Sequence, residues 1–369
     1  MNAAQEQVDL RLGANIAGKT GTFAPAALVR PMRPEEAADV CRCVHRCYGY
    51  SYPNRNMYDP ARVQELNREG KIVSYVAVDH NNELIGHAAL ELDSGNPTVA
   101  EMGNAFVLPE HRGGGLLNKF AKVLVDEAKD RGLAGAFVGS VCSHPYSQKA
   151  VHRLDFSDTA LCLSRLPCMN FRRLRSGGRQ RENILYSFRF FRLDEDLTLY
   201  VPQHHYQMVE RIYQGLGLGV SIQTVPVELP ATEGAFRSSA DSYGAVHVFF
   251  IQSGAGTAAG TAGMENVFYR GDQTETVYLY LNLADPGTPR LCAEYEKQGY
   301  FFAGVLPGSK GFNWLVLQHL NNTYIDYAKL EVASDLGRDL ADYVRCHDPR
   351  QPAAAGLEFV YKNADALCK

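Results

Sequence analysis

The sequence predicts an α/β protein in which mixed sheets are flanked by helices and the chain divides into two such units. Three observations carry this expectation. Short apolar, β-branched runs alternate with stretches of helical periodicity along most of the chain. The length of 369 residues exceeds what one ordinary core fills, so two domains are expected. Hydrophobic residues at 46% and charged residues at 21% are the normal composition of a globular chain.

In order, residues 1–27 are rich in Ala, Gly, Thr and Gln and read as a loosely held arm. Residues 27–30 read as a short strand. Pro34, Glu35 and Glu36 open a helix running to about Tyr48, because Pro suits a first helical turn and acids suit its positive end. Residues 72–79 and 84–92 alternate as a hairpin with Asn81 and Asn82 in the turn, and 99–107 read as another strand. After Pro109 and a glycine triplet, Leu116, Leu117, Phe120, Val123, Leu124 and Ala128 keep helical spacing to about Arg131. A strand at 135–141, a short helix at 145–153 and strands at 158–166 and 184–193 complete a unit spanning 28–194. An arginine-rich link, 171–182, joins the last two strands. The second unit, 195–369, is expected to hold a helix at 202–216, strands at 245–251, 276–283, 300–306 and 313–318, and a helix at 288–298. Its Gly/Ala/Thr segment 253–263 reads as a flexible loop.

Composition excludes several classes. A net charge of −4 speaks against a nucleic-acid-binding surface. No apolar run approaches the roughly 20 residues of a membrane-spanning helix, and no basic-then-apolar leader opens the chain. Nine cysteines without such a leader read as reduced thiols, so a cytoplasmic protein is expected.

The most informative stretch is Val107–Asn118 (VLPEHRGGGLLN), where a strand ends, glycines follow an arginine and a helix begins. Glycines let the backbone approach a phosphate closely, and free N–H groups of a first helical turn point at an anion. This motif, after a three-strand meander, resembles the acyl-coenzyme A pyrophosphate loop of the GNAT superfamily of N-acyltransferases. The resemblance covers about residues 28–166 in element order. It implies two GNAT-like domains, acyl-coenzyme A as co-substrate and no metal. It also implies that Arg112, Gly113, Gly114, Gly115, Leu116, Leu117 and Asn118 wrap the pyrophosphate. The backbone of Phe106 and Val107 would then pair with the pantetheine arm. Leu117 departs from the family pattern, which has Gly or Ala there.

The same resemblance implies direct attack of an amine on a thioester, which calls for a base and a donor to the leaving thiolate. Glu101, eleven residues before Arg112, occupies the offset of the general-base glutamate in histone-acetylating members. The family's usual tyrosine acid is missing, since Val151 stands at its position when the chain is aligned on Phe156. Tyr146, His144 and His152 are the nearby substitutes. In the second unit, residues 293–300 (AEYEKQGY) resemble the end of a GNAT fold, with Tyr295 in the tyrosine position, but no glycine cradle precedes them. The implied arrangement is a tandem whose second half keeps the fold and shapes the acceptor cleft, with Tyr295 packing rather than reacting.

Other clusters were weighed on their spacing. Cys41, Cys43, His45 and Cys47 sit on a predicted helix, where residues two apart diverge, so no metal site is expected. Tyr48, Tyr50, Tyr52 and Tyr58 suit either an acceptor lid or a self-packed loop. Arg172, Arg173, Arg175, Arg179 and Arg181 form the one dense basic run, open to solvent, to a coenzyme A phosphate or to an acyl carrier protein. Cys142 lacks a base positioned by sequence. The expected function is transfer of an acyl group, acetyl by default, from acyl-coenzyme A to an amine of a small molecule, amino acid or peptide. The alternatives are a long-chain fatty-acyl transferase using acyl-coenzyme A or an acyl carrier protein, and a non-catalytic acyl-coenzyme A sensor or scaffold.

Overall fold

The computed structural model describes residues 27–92, 98–172, 180–192, 196–225, 227–231, 233–254, 256–257, 274–308, 313–321 and 323–351. Strands β1 (Leu28–Pro31), β2 (Ile72–Val78), β3 (Leu84–Leu92) and β4 (Val99–Val107) form an antiparallel meander. In the β2–β3 turn, Asp79 Oδ1 accepts from the amides of Asn81 and Glu83, and Asn82 takes the left-handed φ of 62° that such a turn requires. Helix α1 (Ala37–Tyr48) follows the Pro34 turn and lays Val40, Val44 and Cys47 on the sheet. It ends at Gly49, whose φ of 63° lets its amide cap the His45 carbonyl. Helix α3 (Leu116–Asp130) buries Leu116, Phe120, Leu124 and Ala128, a repeat of four that keeps one face on the core.

Strand β5 (Gly135–Val141) runs parallel to β4. It is followed by α4 (Tyr146–His152), β6 (Ser157–Leu166) and β7 (Glu182–Phe190), with β7 between β5 and β6. The second half contributes β10 (Ala235–Ala240), β11 (Ala245–Gln252), β12 (Thr276–Asn282), β13 (Phe301–Leu306) and β14 (Trp314–Leu320). Here β11 pairs parallel with β12, β12 antiparallel with β14, and β14 antiparallel with β13. That is the pairing order of β4, β5, β7 and β6. Helix α6 (Thr288–Glu296) lies between β12 and β13 in sequence, as α4 lies between β5 and β6.

The halves join edge to edge. Strands β6 and β13 pair antiparallel at Gly304 and Ala160, giving one twelve-stranded sheet. Helix α7 (Asp335–His347) crosses this seam: its N-cap residue Ser334 hydrogen-bonds Asp158 of β6. Leu161, Leu163 and Leu185 of the first half share a core with Leu279, Phe302 and Leu340 of the second. Helix α5 (Tyr206–Gly215) and a small parallel pair, β8 (Thr198–Tyr200) and β9 (Ser221–Gln223), also belong to the second half.

Most expected elements lie within two or three residues of their places, and five additional ones appear. Helix α2 (Pro60–Arg68) starts where the Asp59 carboxylate caps the amides of Ala61 and Arg62. Helix α7 starts at a similar cap, Ser334 to Gly337. Strands β8 and β9 are short, and β10 is exposed at every position, so hydrophobic alternation could not mark it. The arm at 1–26 and most of the 253–263 loop lie outside the described residues.

Candidate active site

The parallel β4–β5 ladder holds for only three pairs, the last joining Glu101 to Phe137. Beyond it, Met102–Val107 stays paired to β3 on one side while its β5-facing edge has no strand partner among the described residues. The two strands therefore splay. A cavity of about 780 Å³ fills the gap, lined by Met102–Val107, Val138, Gly139 and Val141. The corresponding β11–β12 ladder runs unbroken for six pairs, so the second half has no such opening there.

The glycine turn sits at the cavity's mouth. Gly113 and Gly115 take φ values of 85° and 76°, conformations that strain any residue with a Cβ. Gly115 is the N-cap of α3 and offers no side-chain cap, so the first amides of the helix are left open. Among the described residues, no protein acceptor takes the amides of Gly113 to Asn118. A run of unpartnered N–H groups at the positive end of a fifteen-residue helix has the geometry that favours an anion. Arg112 does not point a free guanidinium at it: Nε donates to the Val107 carbonyl at 3.1 Å and Nη1 to the Arg172 carbonyl at 2.6 Å. Arg112 thus locks strand end to loop. Asn118 Oδ1 accepts from Arg153, and Leu117 packs half-buried on the core.

Glu101 lies on the cavity wall at the point where the strands part. Its neighbour across the ladder is Glu91, and both carboxylates lean over Gly103. Burial raises the Glu101 carboxyl, with the Arg165 charge pulling the other way. Burial, followed by the Glu101 charge, pushes Glu91 up to about 8. The Glu91 carboxylate accepts from Asn104 Nδ2 at 2.8 Å, and Asn104 Oδ1 accepts from Tyr52 and Asn54. Asn104 has a φ of 47° and sits in a β-bulge, where one extra residue of β4 faces β3. Its carbonyl contacts Nδ1 of the buried His87 at 2.8 Å, which pins the bulge beside the gap.

Of the other expected residues, Tyr146 is 55% exposed at the start of α4 and lines the cavity. His144 stands against Tyr146 and Phe171, its Nδ1 without a protein partner, and burial lowers its imidazolium below the usual range. His152 faces away to Asp158 at 2.9 Å, and Val151 is buried core. Tyr48 and Tyr52 line the cavity, whereas Tyr50 and Tyr58 stack on each other outside it. Cys43 and Cys47 are buried, and His45 meets the Tyr50 ring edge-on. Arg173, Arg175 and Arg179 lie outside the described residues. Arg181 ties Ser164 to the Tyr243 carbonyl. Tyr295 is buried beside Phe250 and Tyr300, consistent with packing.

Sequence similarity matches this geometry. Residues 37–156 match the model of the acetyltransferase (GNAT) family. This segment resembles a GNAT acetyltransferase domain. The matched segment is about a third of the chain and contains the meander, the glycine turn and α4. Solved structures similar to this chain include a phosphinothricin acetyltransferase from Sinorhizobium meliloti in complex with acetyl-coenzyme A. It is 16% identical, with 44% of this chain and 88% of that one covered and a TM-score of 0.35. A spermidine/spermine N-acetyltransferase from Vibrio cholerae is 15% identical, covering 44% and 93%, with a TM-score of 0.33. An N-acetyltransferase from Staphylococcus aureus is 16% identical, covering 44% and 97%, with a TM-score of 0.36. No curated protein matches the chain significantly.

The cavity within this matched segment draws on residues the sequence did not single out. Glu91 is visible only through its register opposite Glu101. Arg165, at the end of β6, pairs with Asp241 of the second half at 2.5 Å and lies over the Tyr243 and Tyr278 rings. Burial pushes the Asp241 carboxyl up, but bonds from His247, the Arg165 charge and two amides outweigh it and hold the acid well below the usual range. Asp241 sits just beyond β10, and Tyr243 reaches the cavity wall, so the second half borders the GNAT cleft. No helix among the described residues is long and apolar enough to cross a membrane.

Proposed function

We propose that the protein transfers an acyl group, acetyl by default, from acyl-coenzyme A to an amine. The observation that carries this reading is the run of unpartnered amides from Gly113 to Asn118 at the mouth of the β4–β5 gap. An extended pantetheine arm would pair with the free edge of β4 at Phe106 and Val107, placing its thioester deep in the gap. Glu101 would take the proton from the attacking amine, with Glu91 setting how firmly that proton is held. The new C–N bond forms as the C–S bond breaks. The leaving thiolate takes a proton from the Tyr146 and His144 side of the cavity. The bulge at Asn104 turns main-chain groups toward the gap, where an amide can face the developing oxyanion.

The acceptor is a small-molecule amine, an amino acid or a peptide amine. Carboxylates of Glu91 and Glu101 on the cavity wall would favour a cationic acceptor. Residues 195–369 are read as a second GNAT-like unit without a cofactor loop. The repeated pairing order and the closed β11–β12 ladder support that reading. It follows that one chain should bind one acyl-coenzyme A.

Calorimetric titration with coenzyme A, followed by mass spectrometry of an amine panel (spermidine, amino acids and a lysine peptide) incubated with acetyl-coenzyme A, tests the reading. One binding site and an acetylated amine are expected. A flat titration would remove the cofactor site. Binding without any acylated amine would leave a sensor.

A further inference from the structure

Away from the cleft, the turn before α5 and the last turn of α6 bring two imidazoles onto one carboxylate. His205 is fully buried, with Nε2 2.9 Å from Glu296 Oε1. His204 is half-exposed, with Nε2 3.0 Å from Oε2 and 3.1 Å from Oε1 of the same residue. One donor atom from each of the three residues lies within 4.8 Å of the others.

The Tyr343 hydroxyl lies 2.9 Å from the His204 carbonyl and 2.8 Å from His205 Nδ1. With its hydrogen on Nδ1, His205 donates that hydrogen to the Tyr343 oxygen and turns the Nε2 lone pair toward the carboxylate that His204 Nε2 also faces. Two imidazole nitrogens and a carboxylate then converge on one point, with one ring fully buried and the other half in solvent.

We propose that His204 Nε2, His205 Nε2 and Glu296 together ligate a zinc-class divalent cation, with solvent water at the half-exposed His204 side. Two imidazoles and a carboxylate are a zinc ligand set, and a histidine ligand commonly donates its other N–H to an outer partner, as His205 does to Tyr343. Metal bonds of about 2.0 Å in tetrahedral geometry separate ligand atoms by roughly 3.3 Å, so the two histidine–carboxylate contacts need to open by only a few tenths of an ångström. The ion would tie α5 to α6 and, through Tyr343, to α7 at the seam between the halves.

The test uses the whole chain, stripped by chelator and titrated with Zn²⁺ and, separately, Co²⁺. One equivalent of Zn²⁺, a tetrahedral Co²⁺ absorption spectrum and a rise in melting temperature with Zn²⁺ are expected. His204→Ala and Glu296→Ala should each lose this equivalent; retained coenzyme A binding shows that the variant is folded. His204→Ala is the safer variant, since its ring is half in solvent. Absence of Zn²⁺ binding by the unaltered protein overturns the proposal. Undiminished Zn²⁺ binding in both variants does so as well.

Discussion

Glu91 and Glu101 are directly opposed partners in the β3–β4 ladder, so their carboxylates leave the sheet on the same face. Two like charges so placed resist ionising together, and burial with the Glu101 charge holds the Glu91 proton until about 8, against an ordinary 4.5. If the pair supplies the base, the acylation rate should climb as pH rises through about 8. Stability should move the opposite way. The folded chain binds more protons than the unfolded chain between 4.5 and 8, so this pair's contribution is greatest below that window and declines across it. Glu91→Gln removes the like charge and should shift the rising limb to lower pH. Glu101→Gln should lower kcat by roughly 100-fold or more with little change in coenzyme A affinity. An unchanged kcat would take Glu101 out of the mechanism.

The glycine turn gives a prediction that separates phosphate grip from general damage. A Cβ at Gly113 or Gly115 meets nothing within 4 Å, so alanine costs only the backbone strain of a positive φ, about 1–2 kcal/mol. Gly113→Ala and Gly115→Ala should weaken coenzyme A binding about tenfold while leaving free pantetheine binding unchanged, because pantetheine lacks the diphosphate. Gly114→Ala is the internal control, its Cβ 3.8 Å from the nearest atom and its φ ordinary. Equal losses for coenzyme A and pantetheine would refute an anion cradle.

The cradle was legible in the sequence because it is local: Arg112 to Asn118 are consecutive, and strand, glycines and helix follow in order. Glu101 was legible through its offset from that loop. Glu91 and Arg165 were not, because their roles depend on register and on a partner in the other half. The Arg165–Asp241 pair spans 76 residues of sequence. Helices α2 and α7 carry local signals, the Asp59–Pro60 and Ser334–Asp335 starts, but their apolar stripes are too short to mark a helix by periodicity. Strand β10 had none, since it exists through its ladder with β11 alone.

The seam rests on a glycine. A Cβ on Gly304 would lie 2.3 Å from the Thr159 carbonyl oxygen and 2.4 Å from the Ala160 Cα, with φ at 135°. Both obstacles are backbone, so the strands themselves would have to part. Gly304→Ala should destabilise the protein by roughly 3 kcal/mol or more, read as a fall in melting temperature. Adding Ala160→Gly removes only the 2.7 Å contact with the Ala160 Cβ and should not rescue it. A normally stable Gly304→Ala protein would mean that β6 and β13 do not abut in this way.

Arg165 links the acidic floor to the second half, and its removal should be felt in both. Arg165→Ala leaves Asp241 half-buried with only His247 and two amides to hold its charge. A loss of about 2–4 kcal/mol is expected, toward the lower end of the cost of breaking a buried pair. The same change withdraws the positive charge that draws the Glu101 proton off, so the rising limb of the rate profile should move to higher pH. Arg165→Lys keeps that charge but loses the planar contact over Tyr243 and Tyr278. It should therefore leave the limb in place while costing stability. A limb that moves equally in both variants would assign the effect to altered packing rather than to the guanidinium charge.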